Sequence, residues 1–340
     1  MGLPIKDIIK KQEISLDDLN GKTVAVDAFN VLYQFITTIR QYDGKPLMDS
    51  KGNVTSHLSG IFYRTTNMMS RGLKPVFVFD GKAPALKRKT RENRTAVKQD
   101  AQAKFDNAES DEDRAKYASR ISYLTGEMID EAKELIEALG LPVVQAPSEG
   151  EAQASFMVLN GDAFAVASQD YDSLLFGAPR LIQNLTLAKT RKLPSGLSVA
   201  INPQMIELKN VLKELDLTRE QLICLGILVG TDYNPKGIPG IGQKTALKIV
   251  KEHKTPEKIF EHMAEEHELN FDWKEIFALF MEPNVTKNYV VKFKPIDEEK
   301  VRGILVERHE FGEDRISAAI KRAVDLKRAT EQKSIKKFLK

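Results

Sequence analysis

The sequence predicts an α/β fold in which a mostly parallel central sheet is flanked by helices. Short, continuously apolar runs rich in Val, Ala and Phe recur at residues 23–27, 75–80, 141–145 and 164–167, and such runs suit strands buried on both faces. Longer segments with helical apolar spacing lie between them. Each run also closes on acid: Asp27 and Asp80 end the first two, Glu149 and Glu151 follow the third, and Asp170 and Asp172 follow the fourth. A further acid, Asp232, ends the glycine-spaced segment Gly226–Thr231. In open α/β sheets, sites form outside the carboxyl ends of the strands.

Taken in order, residues 1–20 form a short amphipathic opening, with Ile5, Ile8 and Ile9 at helical spacing. The strand ending at Asp27 leads into a helix with Val31, Leu32, Phe35 and Ile36 on one side and Tyr33 on another. Gly44 to Gly52 is a turn-rich polar insertion, and His57 to Ser70 is helical. After Asp80 the character changes. Between Lys82 and Lys104 stand eight Lys or Arg residues against two acids, Glu92 and Asp100. This opens a helix-prone excursion over about 82–132, inserted between two core strands. A charge run is usually a solvated helix face. One that follows directly on a candidate metal ligand suits a lid or arch that contacts phosphate.

Beyond Asp172, residues 181–199 read as two antiparallel strands about the turn Pro194-Ser195-Gly196. Leu212 to Leu228 is helical, with Thr218 and Gln221 spaced as a capping box. The segment Gly237-Ile238-Pro239-Gly240-Ile241-Gly242-Gln243-Lys244-Thr245 then brings backbone close to a ligand and opens a helix whose free N–H groups suit phosphate. Its spacing fits neither a P-loop nor a dinucleotide fingerprint. A sequence-independent grip on duplex backbone, over about 232–252, is the better reading. Residues 253–328 are helix-rich, with Trp273 and several Phe as packing. The basic tail, 329–340, spaces Gln332, Ile335, Phe338 and Leu339 as a segment that docks into a partner's groove, although a chain end is more often without fixed structure.

At 340 residues the chain can bury a large core in one domain or two intimate ones. Its hydrophobic share of 42% and charged share of 29% are those of a globular protein, and the net charge of +3 excludes nothing. A single cysteine, Cys224, excludes a disulfide framework and suits a reducing compartment. No apolar run reaches the roughly 18 residues that span a bilayer, and no secretory signal is visible. Lys6 stands where a myristoylation start needs Ser or Thr. These features predict an intracellular protein.

An acid after a strand most often caps the next helix. Caps do not need pairs at i and i+2, however, and here two such pairs join three single acids. Seven carboxylates gathered together repel unless cations hold them, and hard oxygen ligands select Mg²⁺ or Mn²⁺. Two other readings stand beside a metal-dependent nuclease. A phosphatase with an Asp-x-Asp nucleophile would carry that pair on the first strand, which here offers only Asp27. A non-catalytic DNA-binding module would gain nothing from seven acids.

Several long motifs, in order and covering essentially the whole chain, resemble the flap endonucleases of the structure-specific 5′-nuclease superfamily, in their archaeal form. They are Met1-Gly2-Leu3, Val26-Asp27-Ala28, Val78-Phe79-Asp80-Gly81-Lys82, Ala146-Pro147-Ser148-Glu149-Gly150-Glu151-Ala152-Gln153, Ser168-Gln169-Asp170-Tyr171-Asp172 and Gly230-Thr231-Asp232-Tyr233. The resemblance implies a PIN-like nuclease domain over 1–328, with the excursion as a helical arch and the glycine segment as a helix-hairpin-helix-type DNA-binding element. It implies that Asp27, Asp80, Glu149, Glu151, Asp170, Asp172 and Asp232 hold two Mg²⁺ (or Mn²⁺) ions about 4 Å apart. By the same carry-over, Lys87 and Arg94 reach the scissile phosphate, Tyr33 stacks on a base, and Gly2 lies near the DNA once Met1 is removed. Gly237, Gly240, Gly242, Lys244 and Thr245 would grip duplex with a K⁺ ion. The tail would dock on the sliding clamp PCNA, with Leu339 in place of a second aromatic. The expected protein is a monomer that cuts 5′-flap DNA in replication and repair.

Overall fold

A computed structural model describes the chain except residues 1–2, 42–43, 108–123, 187–189, 193–197 and 339–340. Side chains at several further positions, among them Arg94 and residues 326–338, also lie outside the described set. A 3-10 turn at Lys6–Ile8 leads to β1 (Gln12–Glu13). β2 (Thr23–Asp27) is followed by α1 (Ala28–Thr38) and α2 (Ser56–Ser70), and β3 (Lys74–Phe79) by α3 (Arg88–Asp106) and α4 (Gly126–Ala138). β4 (Val143–Gln145) precedes α5 (Gly150–Leu159), and β5 (Ala165–Ala167) precedes the short α6 (Asp172–Leu175). β6 (Arg180–Gln183), the pair β7 (Thr190–Lys192) and β8 (Ser198–Ala200), and β9 (Gln204–Glu207) complete the strands. The helices that follow are α7 (Leu208–Leu215), α8 (Arg219–Val229), α9 (Gln243–His253), α10 (Pro256–Glu266), α11 (Trp273–Met281), α12 (Glu298–Arg302) and α13 (Glu313–Phe338).

The chain folds into two compact units. The first comprises residues 1–14, 80–92 and 145–288. Its strands run in the order β1-β9-β6-β5, with β5 parallel to β6 and the other two pairs antiparallel. All three residues of β5 are buried, as the unbroken apolar run requires. On α8, Leu222 to Leu228 are buried without interruption. Gly226 is necessary there, because a Cβ would come within 2.9 Å of Leu175 on α6.

The second unit comprises residues 15–79, 93–144 and 289–340. β2 pairs in parallel with β3, Thr23 opposite Lys74 through Asp27 opposite Val78. β4 lies beyond β3, with Phe77 N–H donating to the Pro142 carbonyl at 3.1 Å. α1 buries Val31, Leu32, Phe35 and Ile36 as its spacing predicts, leaving Tyr33 38% exposed. Gly44 and Gly52 take φ of 81° and 84° in the polar insertion.

Two local readings differ from the structure. The opening forms only short 3-10 turns at Lys6–Ile8 and Asp17–Leu19, because the backbone between them is drawn out to pair with β9, and Ile14 N–H donates to the Pro203 carbonyl. Ile5 and Ile9 are nonetheless buried. The helix read over 212–228 is two helices, broken where Asp216 adopts φ 53°. The capping box of Thr218 and Gln221 starts the second. β7 and β8 form the antiparallel pair read from sequence, and the turn at Pro194-Ser195-Gly196 lies outside the described residues.

Candidate active site

Six of the seven acids lie in the first unit. Asp80 follows β3; its Oδ1 accepts the Gly150 N–H at 2.6 Å, and its carbonyl accepts from Gln145 Nε2 at 2.7 Å. Gly150 opens α5, so Asp80 draws on that helix's N-terminal donors, while Glu149 is the N-cap residue and Glu151 stands in the first turn. Glu151 Oε1 accepts the Ser173 N–H at 3.2 Å, tying α5 to α6. Asp172 opens α6 and accepts the Leu3 N–H at 3.2 Å; the Asp170 N–H donates to Ser168 Oγ at 3.2 Å. Asp232 closes α8's exit, its carbonyl held by the Thr90 hydroxyl at 2.6 Å.

One ammonium stands among these acids. Lys87 Nζ pairs with the Glu149 carboxylate and, at 3.2 Å, with Asp232 Oδ2. The Tyr233 hydroxyl donates to the same Glu149, and the Tyr233 ring lies 5.5 Å from Lys87 Nζ. Phe280 meets that ring edge-on at 5.3 Å.

Burial pushes Asp80 and Glu149 above the ordinary carboxylate range. Burial, with Asp232 and Asp170 adding repulsion, pushes Asp172 up to about 7. Burial works against the charge of Lys87, but Glu149 and Asp232 outweigh it and raise its pKa. The donors are all oxygen, which suits hard divalent cations. Among the described residues no three such side chains already converge as a metal cage. The Lys87 ammonium instead stands in as the cation between two of the acids.

The other sequence-predicted residues fall as follows. Asp27, 8% exposed, is in the second unit and does perform the capping role: its Oδ1 accepts the Asn30 N–H at 3.0 Å. Tyr33 also lies in that unit, as does Arg94, on α3. Gly2 lies outside the described residues. In the glycine segment Gly237 and Gly240 take φ of 54° and 83°. A Cβ at Gly237 would sit 2.5 Å from the Leu228 carbonyl oxygen, so only glycine permits this approach. Gly242 is the N-cap of α9 with no side-chain cap, and Lys244 and Thr245 are exposed in the first turn. Gln332, Ile335 and Phe338 fall on the backbone of α13; their side chains, and Leu339, lie outside the described residues.

Tyr233 and Thr90 belong to the site although neither was singled out from sequence as a site residue. Tyr233 carried a signal, since it directly follows Asp232. Thr90 carried none within a run of basic residues.

Comparison with known proteins shows the family. An XPG N-terminal domain model matches residues 3–101 and an XPG I-region model matches residues 140–232. All seven acids fall inside the two matches. Flap endonuclease 1 of Hyperthermus butylicus is 52% identical over 95% of this chain and 94% of its own. That of Pyrococcus furiosus is 48% identical over 100% of both chains. The solved flap endonuclease-1 from Methanococcus jannaschii superposes with a TM-score of 0.77 at 41% identity, covering 96% of this chain and 99% of that one. The chain therefore belongs to the flap endonuclease 1 family of nucleases, enzymes that hydrolyse phosphodiester bonds of DNA.

Proposed function

We propose that the chain cuts branched DNA at 5′-flap junctions, with associated 5′–3′ exonuclease activity, using its acid cluster to hold two Mg²⁺ ions. The observation that carries this reading is the approach of Glu149 and Asp232 to one ammonium, that of Lys87, beside Asp80 and Asp172, whose carboxyls burial raises. Asp80, Glu149, Glu151 and Asp170 would hold the inner positions; Asp27, Asp172 and Asp232 would act partly through bound water. Asp27 completes the set on the strength of the resemblance. When bound, the cations supply an activated water and neutralise the leaving oxygen.

The chain's own groups do the rest. Glu149 is oriented by the Tyr233 hydroxyl, and Asp80 by the Gly150 N–H. With the acids neutralised, Lys87 is available to the scissile phosphate, a preorganised electrostatic role it shares with Arg94. Tyr33 stacks on an unpaired base. The hairpin at Gly237, Gly240 and Gly242 grips duplex phosphate through backbone N–H groups with Lys244, Thr245 and a K⁺ ion. The arch over about 82–132, of which residues 108–123 lie outside the described set, would admit a single-stranded 5′ end, and the tail at 329–340 would dock on PCNA. The protein works as a monomer on chromosomal DNA inside the cell. Among the described residues no helix is long and apolar enough to cross a membrane.

Single-turnover cleavage of a 5′-end-labelled double-flap DNA tests the reading. Cutting near the junction with Mg²⁺, and none with chelator, is expected. Chelator-resistant cutting, or hydrolysis of small phosphate esters in preference to flap DNA, overturns it.

A further inference from the structure

The loop that carries Asp170 and Asp172 is held from the N-terminal segment at two points. At one end Leu3 N–H donates to Asp172 Oδ1. At the other, Lys11 Nζ donates to Gln183 Oε1 at 2.7 Å, and Gln183 Nε2 donates to the Gln169 carbonyl at 2.7 Å. Lys11 Nζ also lies 5.2 Å from the centroid of the Tyr171 ring, between the two acids in sequence. The segment is itself anchored to α9, because Asp7 N–H donates to Gln243 Oε1 at 3.3 Å and Gln243 Nε2 donates back to the Asp7 carboxylate.

The chemistry of this chain of bonds fixes its direction. Gln183, at the end of β6, is 4% exposed, so both ends of its amide need partners. Lysine has donors and no acceptor. Lys11 therefore selects the amide orientation that turns Oε1 toward itself and Nε2 toward Gln169. An amide turned the other way would face an ammonium with its own donors and leave the Gln169 carbonyl without this bond. We propose that Lys11 and Gln183 are positioning residues for the cleavage reaction: they lock the backbone one residue before Asp170 and thereby set both acids of the pair for metal. The inference rests on the reading that Asp170 and Asp172 serve the metal ions. Groups that orient metal ligands from behind typically cost 10–100-fold in metal affinity or activity when removed.

The test has a sign that separates positioning from simple electrostatics. Removing a cation near an acidic site should by itself strengthen metal binding, by Coulomb attraction. Positioning predicts the opposite. Mn²⁺ binding to the full chain without DNA, followed by the EPR signal of the free ion, should weaken about tenfold in Lys11→Met and in Gln183→Leu. The Mg²⁺ concentration for half-maximal single-turnover cleavage should rise by a similar factor, with metal-free affinity for flap DNA within about twofold. Lys11→Arg, which keeps donors and charge, should restore both readings. The double variant should be no worse than Gln183→Leu alone, since both act in one chain. Lys11 is partly exposed, so Lys11→Met keeps the test valid where Gln183→Leu fails to fold. Unchanged or tighter Mn²⁺ binding by folded Lys11→Met, with wild-type Mg²⁺ dependence, overturns the inference. Asp170→Ala serves as the reference: if it binds Mn²⁺ and cleaves as wild type does, the metal reading of the pair fails. If only Asp170→Ala is impaired, the positioning inference alone fails.

Discussion

Two clusters of buried charge, one in each unit, use similar residue types and reach opposite electrostatic states. In the second unit both His309 ring nitrogens face carboxylates: Nδ1 is 3.0 Å from Asp49 Oδ2 and Nε2 is 2.9 Å from Glu131 Oε1. Arg308 donates to Glu134 at 2.8 Å and lowers that carboxyl. Burial works against the charge of Asp49, but hydrogen bonds from Asn53, His309 and Lys51 hold it at about 2. There each acid has its donor. In the first unit Asp80, Glu149 and Asp172 are all pushed upward by burial, beside the Lys87 ammonium that pairs with Glu149 and Asp232. A cluster whose acids are held low by donors clamps structure; one whose acids are raised by burial favours the binding of cations.

The sharpest way to break this contrast is to remove one charge from each cluster. Asp172→Asn keeps the Oδ1 that accepts from Leu3 and deletes only the charge. Cleavage in saturating Mg²⁺ should fall by about 10²-fold or more, on the scale of other lost electrostatic groups. The same change should raise Tm in chelator at pH 8 by about a degree or two. The sign follows from a folded-state pKa raised to about 7, so that the penalty for ionising this carboxyl is fully present above that pH. A lower Tm would contradict the account. His309→Ala, in the second unit's cluster, should instead lower Tm by roughly 5 °C, because Asp49 and Glu131 lose a shared hydrogen-bonding partner. An unchanged melting curve would show that the clamp contributes nothing.

The smallest effect concerns His57, fully buried beneath the second cluster, with neither ring nitrogen hydrogen-bonded and Glu131 Oε2 4.0 Å away. Burial first, then repulsion from His309, hold its pKa at about 3. The unfolded chain takes up this proton near pH 6.5 and the folded chain does not. Stability is therefore full above pH 6.5 and falls with acid toward pH 3, by up to about 1.4 kcal/mol per pH unit. His57→Leu should flatten that slope by one proton. An equally steep decline between pH 6 and 4 in chemical denaturation would assign it elsewhere.

Much of this arrangement was legible in the residue order. The buried strands announced themselves as apolar runs, and the acids after them, in i and i+2 pairs, were legible as metal-ligand candidates in the residue order alone. What could not be read were partners set by chain topology. The resemblance singled out Lys87 for the scissile phosphate, but only the fold pairs it with Glu149 and Asp232. Gln183 sits 172 residues from Lys11, and His309 sits 260 from Asp49. Asp27 shows the opposite limit. Its pattern matched the other acids, yet the structure also gives it the ordinary work of capping α1.

The central claim is that the acids of the first unit hold the catalytic metal. It is tested most directly by single-turnover cleavage of a 5′-end-labelled double-flap DNA in Mg²⁺, comparing wild type with Asp170→Ala alongside DNA-binding affinity. The account predicts cutting near the junction by wild type and its loss in the variant, with flap DNA still bound. Equal cleavage by both proteins, or intact DNA held tightly by wild type whether or not Mg²⁺ is present, would contradict it.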